Sequence, residues 1–131
     1  MELIDETLLN RVTQEAKESQ RLRKNYNFHK ELEAPSQRLL NAVEPGTVLP
    51  IHRHPQTSET YVVLRGRVRV LIYDDDRNIV QDVVLSPQSG RYGGHSPAGQ
   101  WHTIEVLESG SVIFECKDGP YIPVTPENTL L

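Results

Sequence analysis

The sequence predicts a mainly β protein, an antiparallel sandwich or barrel preceded by one N-terminal α-helix. Three observations carry this. Runs rich in Val, Ile, Leu and Tyr follow one another from about residue 37 onwards. Clusters of turn-forming residues separate them (EPG, DDDRN, SPQSG, PAG, ESG and KDGP), with no helical pattern between. The first twenty or so residues instead carry apolar side chains at spacing four. Short strands joined by frequent turns bury their apolar faces against one another, which gives a sandwich or a closed barrel.

Each element follows in order. Ile4, Leu8, Val12 and Ala16 form one apolar stripe, Asp5 can cap the helix start and Glu6 suits its positive end. Residues 21–36, RLRKNYNFHKELEAPS, fit neither helix nor strand pattern. They are read as a connecting segment anchored on the barrel by Tyr26 and Phe28 and ended by Pro35, with His29 a partly exposed surface residue. The chain thus divides into 1–36, helix and connector, and 37–131, the barrel. The expected strands lie in QRLLNAV, TYVVLRGRVRVLIY, NIVQDVVLS, WHTIEVL and SVIFECK. Asp74 to Asn78 reads as a hairpin loop, a solvated turn and not a cation site, because no calcium-loop spacing follows it. Cys116 is in phase with Val112 and Phe114 and reads as a small core residue.

Bulk properties narrow the function. A chain of 131 residues is one domain's length and needs neither disulfides nor structural zinc for stability. Its net charge of -4 has both signs scattered, which argues against nucleic acid as a partner. The single cysteine excludes an internal disulfide. No run approaches the ~20 apolar residues that span a bilayer. The N-terminus, MELIDETLL, has no basic or apolar signal region. A soluble cytoplasmic protein with no membrane partner is expected.

The chemistry concentrates in GTVLPIHRHPQTSETYVVLRG, Gly46 to Gly66. Strand side chains alternate faces, so His52 and His54 share a face and Arg53 points away. Two imidazoles on an inward face each need a partner for a ring nitrogen, and a shared metal ion satisfies both. Glu59 opens the next strand in phase with Tyr61 and Val63. Later, His102 is in phase with Gln100, Ile104 and Val106, so it also faces inward. Alone it would read as a core histidine; beside a His-x-His and a carboxylate it reads as a further ligand.

The same stretch, with Gly46, His52, His54, Glu59 and Gly66 at their spacing, resembles the first sequence motif of the cupin superfamily. Gly90 to Val106, with Pro97, Gly99 and His102, resembles the second, departing at the Gly90–Pro97 spacing and at Val106, where asparagine is usual. RLRKNYNFH, the opening stretch and the run from PAGQWH to KDGPY further resemble the WbuC-type cupin metalloproteins, small bacterial proteins whose genes often lie among those for surface polysaccharide biosynthesis. This resemblance implies a cupin double-stranded β-helix, or jelly-roll barrel. It also implies one divalent transition metal held by His52, His54, Glu59 and His102. Nitrogen and oxygen donors suit Fe, Zn, Mn, Ni or Co and not Ca or Mg. Cupins are commonly homodimers, and the helix stripe could cover an exposed sheet edge.

Around such a metal, Tyr61 is the candidate acid or base, with Gln100 and Asn41 as candidate substrate-binding residues and Trp101 packed on the other face. The first reading is a metalloenzyme using Lewis-acid catalysis on a small-molecule ligand of sugar or nucleotide-sugar type. An iron-dependent dioxygenase and a non-catalytic metal-dependent carbohydrate-binding module are the alternatives.

Overall fold

The computed structural model describes residues 1–130. Helix α1 runs Glu6–Glu18, and the Asp5 carboxylate accepts the Leu8 N–H at 3.0 Å as its cap. Ile4 therefore lies outside the helix and is exposed, while Leu8, Leu9, Val12 and Ala16 are buried. They pack on Leu40, Ala42 and Val112 of the neighbouring sheet. Arg65 fastens the helix from that sheet. Its guanidinium donates to Asn10 Oδ1 at 2.8 Å, Thr13 Oγ1 at 2.9 Å and Glu6 Oε2 at 3.1 Å. The apolar stripe is thus covered within the chain, by the outward face of the first sheet.

Among the described residues, ten strands form two five-stranded antiparallel sheets. The first has the order β1 (Arg23–Asn27), β2 (Ser36–Val43), β9 (Ser111–Asp118), β4 (Glu59–Arg65) and β7 (Gly93–Ser96). The second has the order β10 (Thr129–Leu130), β3 (Ile51–His52), β8 (Trp101–Val106), β5 (Val68–Tyr73) and β6 (Ile79–Leu85). The layers close on Val43, Val63, Val68, Val70, Ile72, Leu85, Val106 and Ile113. Strand alternation makes the first sheet two-faced. Leu40, Ala42, Val112 and Phe114 turn out towards α1, while Val43, Val63 and Ile113 turn in. By the same parity Glu59, Tyr61, Asn41, Glu115 and Lys117 turn in as well, at the end of the sandwich where the apolar core stops.

Three short or polar strands, β1, β7 and β10, had no readable signal, and the strand read through His52 and His54 shortens to β3. β1, in the connecting segment, has the sequence RKNYN and pairs with β2 alone, so it needs little apolar surface. Tyr26 and Phe28 do anchor this segment, the Phe28 ring lying edge-on at 6.4 Å from Phe114. β3 and β10 have two residues each, and β7 is GGHS. The run TYVVLRGRVRVLIY divides into β4 and β5 at Gly66, whose φ is +91°. The Asp74–Asn78 turn is closed on itself: Asp74 Oδ1 accepts the N–H groups of Asp76 and Asn78 at 2.9 Å. Cys116 is a free thiol, half-buried on the outward face.

Candidate metal centre

His52 and His102 are direct partners on adjacent strands β3 and β8. His54 follows β3, and its carbonyl accepts the Gly99 N–H at 2.8 Å, which ties it to the turn before β8. One ligand nitrogen from each of the three histidines lies within 4.8 Å of the others. The Nδ1 atoms of His52 and His102 each lie 2.9 Å from the carbonyl oxygen two residues earlier, that of Pro50 and of Gln100. A carbonyl can only accept, so each Nδ1 carries the proton and each Nε2 is turned to the cavity. This is the arrangement that orients a ligating imidazole.

Glu59 comes from the opposite sheet, its Oε1 2.9 Å from His102 Nε2. Both nitrogens of His102 therefore face acceptors. Burial pulls the His102 pKa down, but the hydrogen bond to Glu59 and its charge outweigh this and raise it. Burial likewise pushes the Glu59 carboxyl up, and the same bond with the charges of His102 and His54 reverses it, holding Glu59 ionised. His52 is pulled down to about 4, first by burial and then by the charge of His102. Burial lowers His54 too. His52 and His54 are thus neutral at pH 7, the form that ligates. Glu59 is not within 4.8 Å of all three histidines and joins the cluster through His102. Three imidazole nitrogens with one ionised carboxylate fit a divalent transition metal.

The cluster opens into a cavity of about 240 Å³ whose far wall is the inner face of the first sheet. Asn41 lines it, as the sequence suggested. Its side chain hydrogen-bonds Glu115, and its buried Oδ1 has no partner among the described residues. Glu115 is pushed up to about 7, first by burial and then by the negative charge of Glu59. Sequence reasoning missed Glu115 and Lys117. Their signal was parity: Ile113, Glu115 and Lys117 alternate with Val112, Phe114 and Cys116, so a core residue on one face puts two charges on that same face.

Tyr61 lies directly beside Glu115 on the adjacent strand, with its hydroxyl bonded to Ser96. Its ring borders both this cavity and a second one of about 690 Å³ near the β6 and β7 edges. Gln100 lines that second cavity, and what it offers the histidine cluster is its backbone carbonyl.

Behind the histidines, Arg53 points to the outer face as its parity requires. Its guanidinium lies 4.4 Å over the Trp101 ring, and its Nε donates to Asn128 Oδ1 at 2.9 Å. The Arg53 N–H donates to the Asn128 carbonyl at 3.0 Å, and Thr129 pairs with His52. Trp101 packs outward as expected, its indole N–H reaching Asp75 Oδ1 at 2.9 Å.

Two antiparallel sheets enclosing a histidine cluster at one end define the class: the fold is the cupin jelly roll. Solved structures share it. The capsular polysaccharide assembling protein CapF from Staphylococcus aureus superposes with a TM-score of 0.66 at 20% identity, over 80% of this chain and 30% of that one. KdgF from Halomonas sp. does so with 0.60 at 16% identity, over 76% and 80% of the two chains. Bacillus subtilis oxalate decarboxylase, a protein with Mn(II) centres, does so with 0.58 at 18% identity, over 82% and 27%. The chain thus spans less than a third of CapF and of the decarboxylase. No curated protein matches it in sequence. The chain belongs to the family described as a domain of unknown function (DUF6016), which matches residues 4–85.

Proposed function

We propose that this protein is a metal-dependent cupin enzyme acting on a small polar substrate of sugar type, with Glu115 as the group that moves a proton. One observation carries the reading. The cavity that holds three clustered histidines also holds two carboxyls from the facing sheet, the ionised Glu59 and Glu115. A bound divalent metal would supply Lewis-acid polarisation of a carbonyl or hydroxyl oxygen. His52, His54 and His102 would hold it, with Glu59 as the fourth donor. Glu115 exchanges its proton near neutrality, as a general acid or base must. Asn41 fixes the Glu115 carboxyl and leaves Oδ1 to receive a substrate hydroxyl. Tyr61, whose hydroxyl is engaged by Ser96, serves as a wall that positions substrate beside Glu115. The likeness to CapF supports the sugar-type substrate and a link to surface polysaccharide, as does the WbuC-type motif set.

The test begins with elemental analysis and electron paramagnetic resonance of untagged protein. About one equivalent of transition metal is expected. The double variant His54→Ala, His102→Ala should lose it while the circular dichroism of the sheet is kept. Retained metal would show the ligand set to be wrong. Sugar substrates are then screened in deuterated water. Glu115→Gln should keep metal and lose solvent-deuterium incorporation.

A further inference from the structure

We propose that the cavity takes a polyhydroxy acid, a sugar-type molecule bearing a carboxylate, with Arg23 and Lys117 holding the carboxylate and Asn41 Oδ1 receiving a hydroxyl. The inference rests on the reading above and narrows its substrate.

Charge is the first observation. The acidic and basic side chains on the cavity wall, besides the histidines and tyrosines, are Arg21, Arg23 and Lys117 against Glu59 and Glu115, three basic and two acidic. The second cavity has Asp82 and Arg91, one of each. A chain with a net charge of -4 thus gathers cations at the mouth of the histidine cavity. Ion pairs among the described residues leave all three cations out. Lys117 lies 5.6 Å over the Tyr121 ring and its charge also acts on Glu59 and Glu115, whereas among the described residues no carboxylate pairs with Arg23. A cleft lined with such cations on low-dielectric walls concentrates anions.

Geometry is the second. Arg23 is held in place through one nitrogen only: Nη1 donates to Thr47 Oγ1 at 3.3 Å and to the Val48 carbonyl at 3.1 Å. Its Nε and Nη2 remain, and a guanidinium edge matches a carboxylate with two parallel bonds. Burial and the neighbouring Arg21 both act against its charge, a cost that an anion relieves. Lys117 stands on β9 two residues beyond Glu115, beside Glu59 across the ladder.

The third observation is the buried Asn41 Oδ1 without a donor. Asn25 is its partner on β1, two pairs along from Arg23 and so on the same face of the strand, and lines the same wall. An orphan acceptor beside an amide calls for a hydroxyl, since leaving it unpaired costs roughly 1–3 kcal/mol. One ligand with a carboxylate and hydroxyls answers both needs.

The experiment is calorimetric titration of D-gluconate and D-glucitol, which share a carbon chain and differ in the acid group. Each is titrated into zinc-loaded and into metal-free protein, with zinc content measured on the same samples. Gluconate should bind at least about ten-fold more tightly than glucitol, in both forms. Arg23→Gln and Lys117→Gln should each weaken gluconate by about ten-fold with zinc content unchanged. Asn41→Leu should weaken both probes. Equal binding of the two probes, no binding of gluconate, or gluconate affinity indifferent to Arg23→Gln and Lys117→Gln would overturn the inference. Failure to take up zinc would count against the metal reading instead, and the metal-free titrations would still decide this one.

Discussion

Glu59 and His102 meet across the two sheets, carboxylate Oε1 to imidazole Nε2 at 2.9 Å, on the nitrogen that a metal would need. The carboxylate raises the His102 pKa and so favours a proton on that nitrogen in the metal-free protein. A metal ligated by that nitrogen must displace the proton. Calorimetry in buffers of differing ionisation heat should therefore show protons released on metal binding, in an amount that grows as the pH is lowered. Affinity should fall as the pH is lowered below neutrality. Glu59→Gln keeps an oxygen acceptor but removes the negative charge that raises the His102 pKa, so the proton release should shrink. The variant should also bind metal more weakly. Weakened release with unchanged affinity would place Glu59 behind the ligands.

Glu115 makes an opposite prediction for stability. Its pKa is raised in the fold to about 7, against about 4.5 unfolded. Between those values the folded chain keeps a proton that the unfolded chain has lost. The contribution to stability is therefore full below about pH 4.5 and is lost as pH rises through 7. Glu115→Gln keeps the shape and removes the titration. In metal-free protein its melting temperature, relative to the parent, should rise between pH 5 and pH 8. A difference independent of pH would mean that Glu115 titrates as an ordinary exposed carboxyl.

These two carboxylates mark where the sequence could be read. Glu59 stood in a spaced pattern with two histidines and two glycines, and the pattern placed His102 as well. Alternation left either Arg38 or Asn41 as an inward residue, and Asn41 was the choice between them. Glu115 was hidden because SVIFECK reads as one apolar run, and its two faces separate only once Val112 is seen to pack on α1 and Ile113 in the core. The strand read through His52 and His54 proved to end at His52, and β10 could not be read, since two residues have no period. β1 could not either, because an edge strand flanked by solvent can be as polar as RKNYN. Gln100 was placed by parity alone. The turn at Gly99, with φ +84°, leaves its side chain in the neighbouring cavity and its carbonyl behind His102.

β3 is too short to hold His52 and His54 by itself, and the chain's last described residues supply the remainder. Asn128 grips Arg53 through both side chain and backbone, and Arg53 lies between the two histidines on Trp101. Asn128→Ala should thus weaken metal binding by about 10-fold, in the range that supporting contacts around metal ligands command. It should leave the melting temperature of metal-free protein within a few degrees. Arg53→Lys, which keeps the charge but not the planar stack, should resemble it. Metal affinity unchanged in both variants would mean that β8 alone positions the histidines.

Gly66 sets the turn between the strand that carries Glu59 and the strand that pairs with His102's. Two separate demands meet there. Its φ of +91° is a conformation in which side chains other than glycine's cost roughly 1–2 kcal/mol. A Cβ would in addition stand 2.1 Å from Ser111 Oγ and 2.5 Å from Ser111 Cα. Ser111 cannot step aside: its hydroxyl donates to the Glu108 carbonyl at 2.6 Å and accepts the Arg67 N–H at 3.1 Å. Gly90 has a similar φ of +77° but nothing within 4 Å of the Cβ position. The pair separates strain from collision. Gly90→Ala should cost about 1 kcal/mol, the backbone term alone. Gly66→Ala should cost about 3 kcal/mol or more, because the β4–β5 turn and β9 must both shift. Urea titration of the two metal-free variants measures this directly. Equal losses would mean that the chain relaxes around Ser111 and that backbone strain is the whole requirement for glycine at this turn.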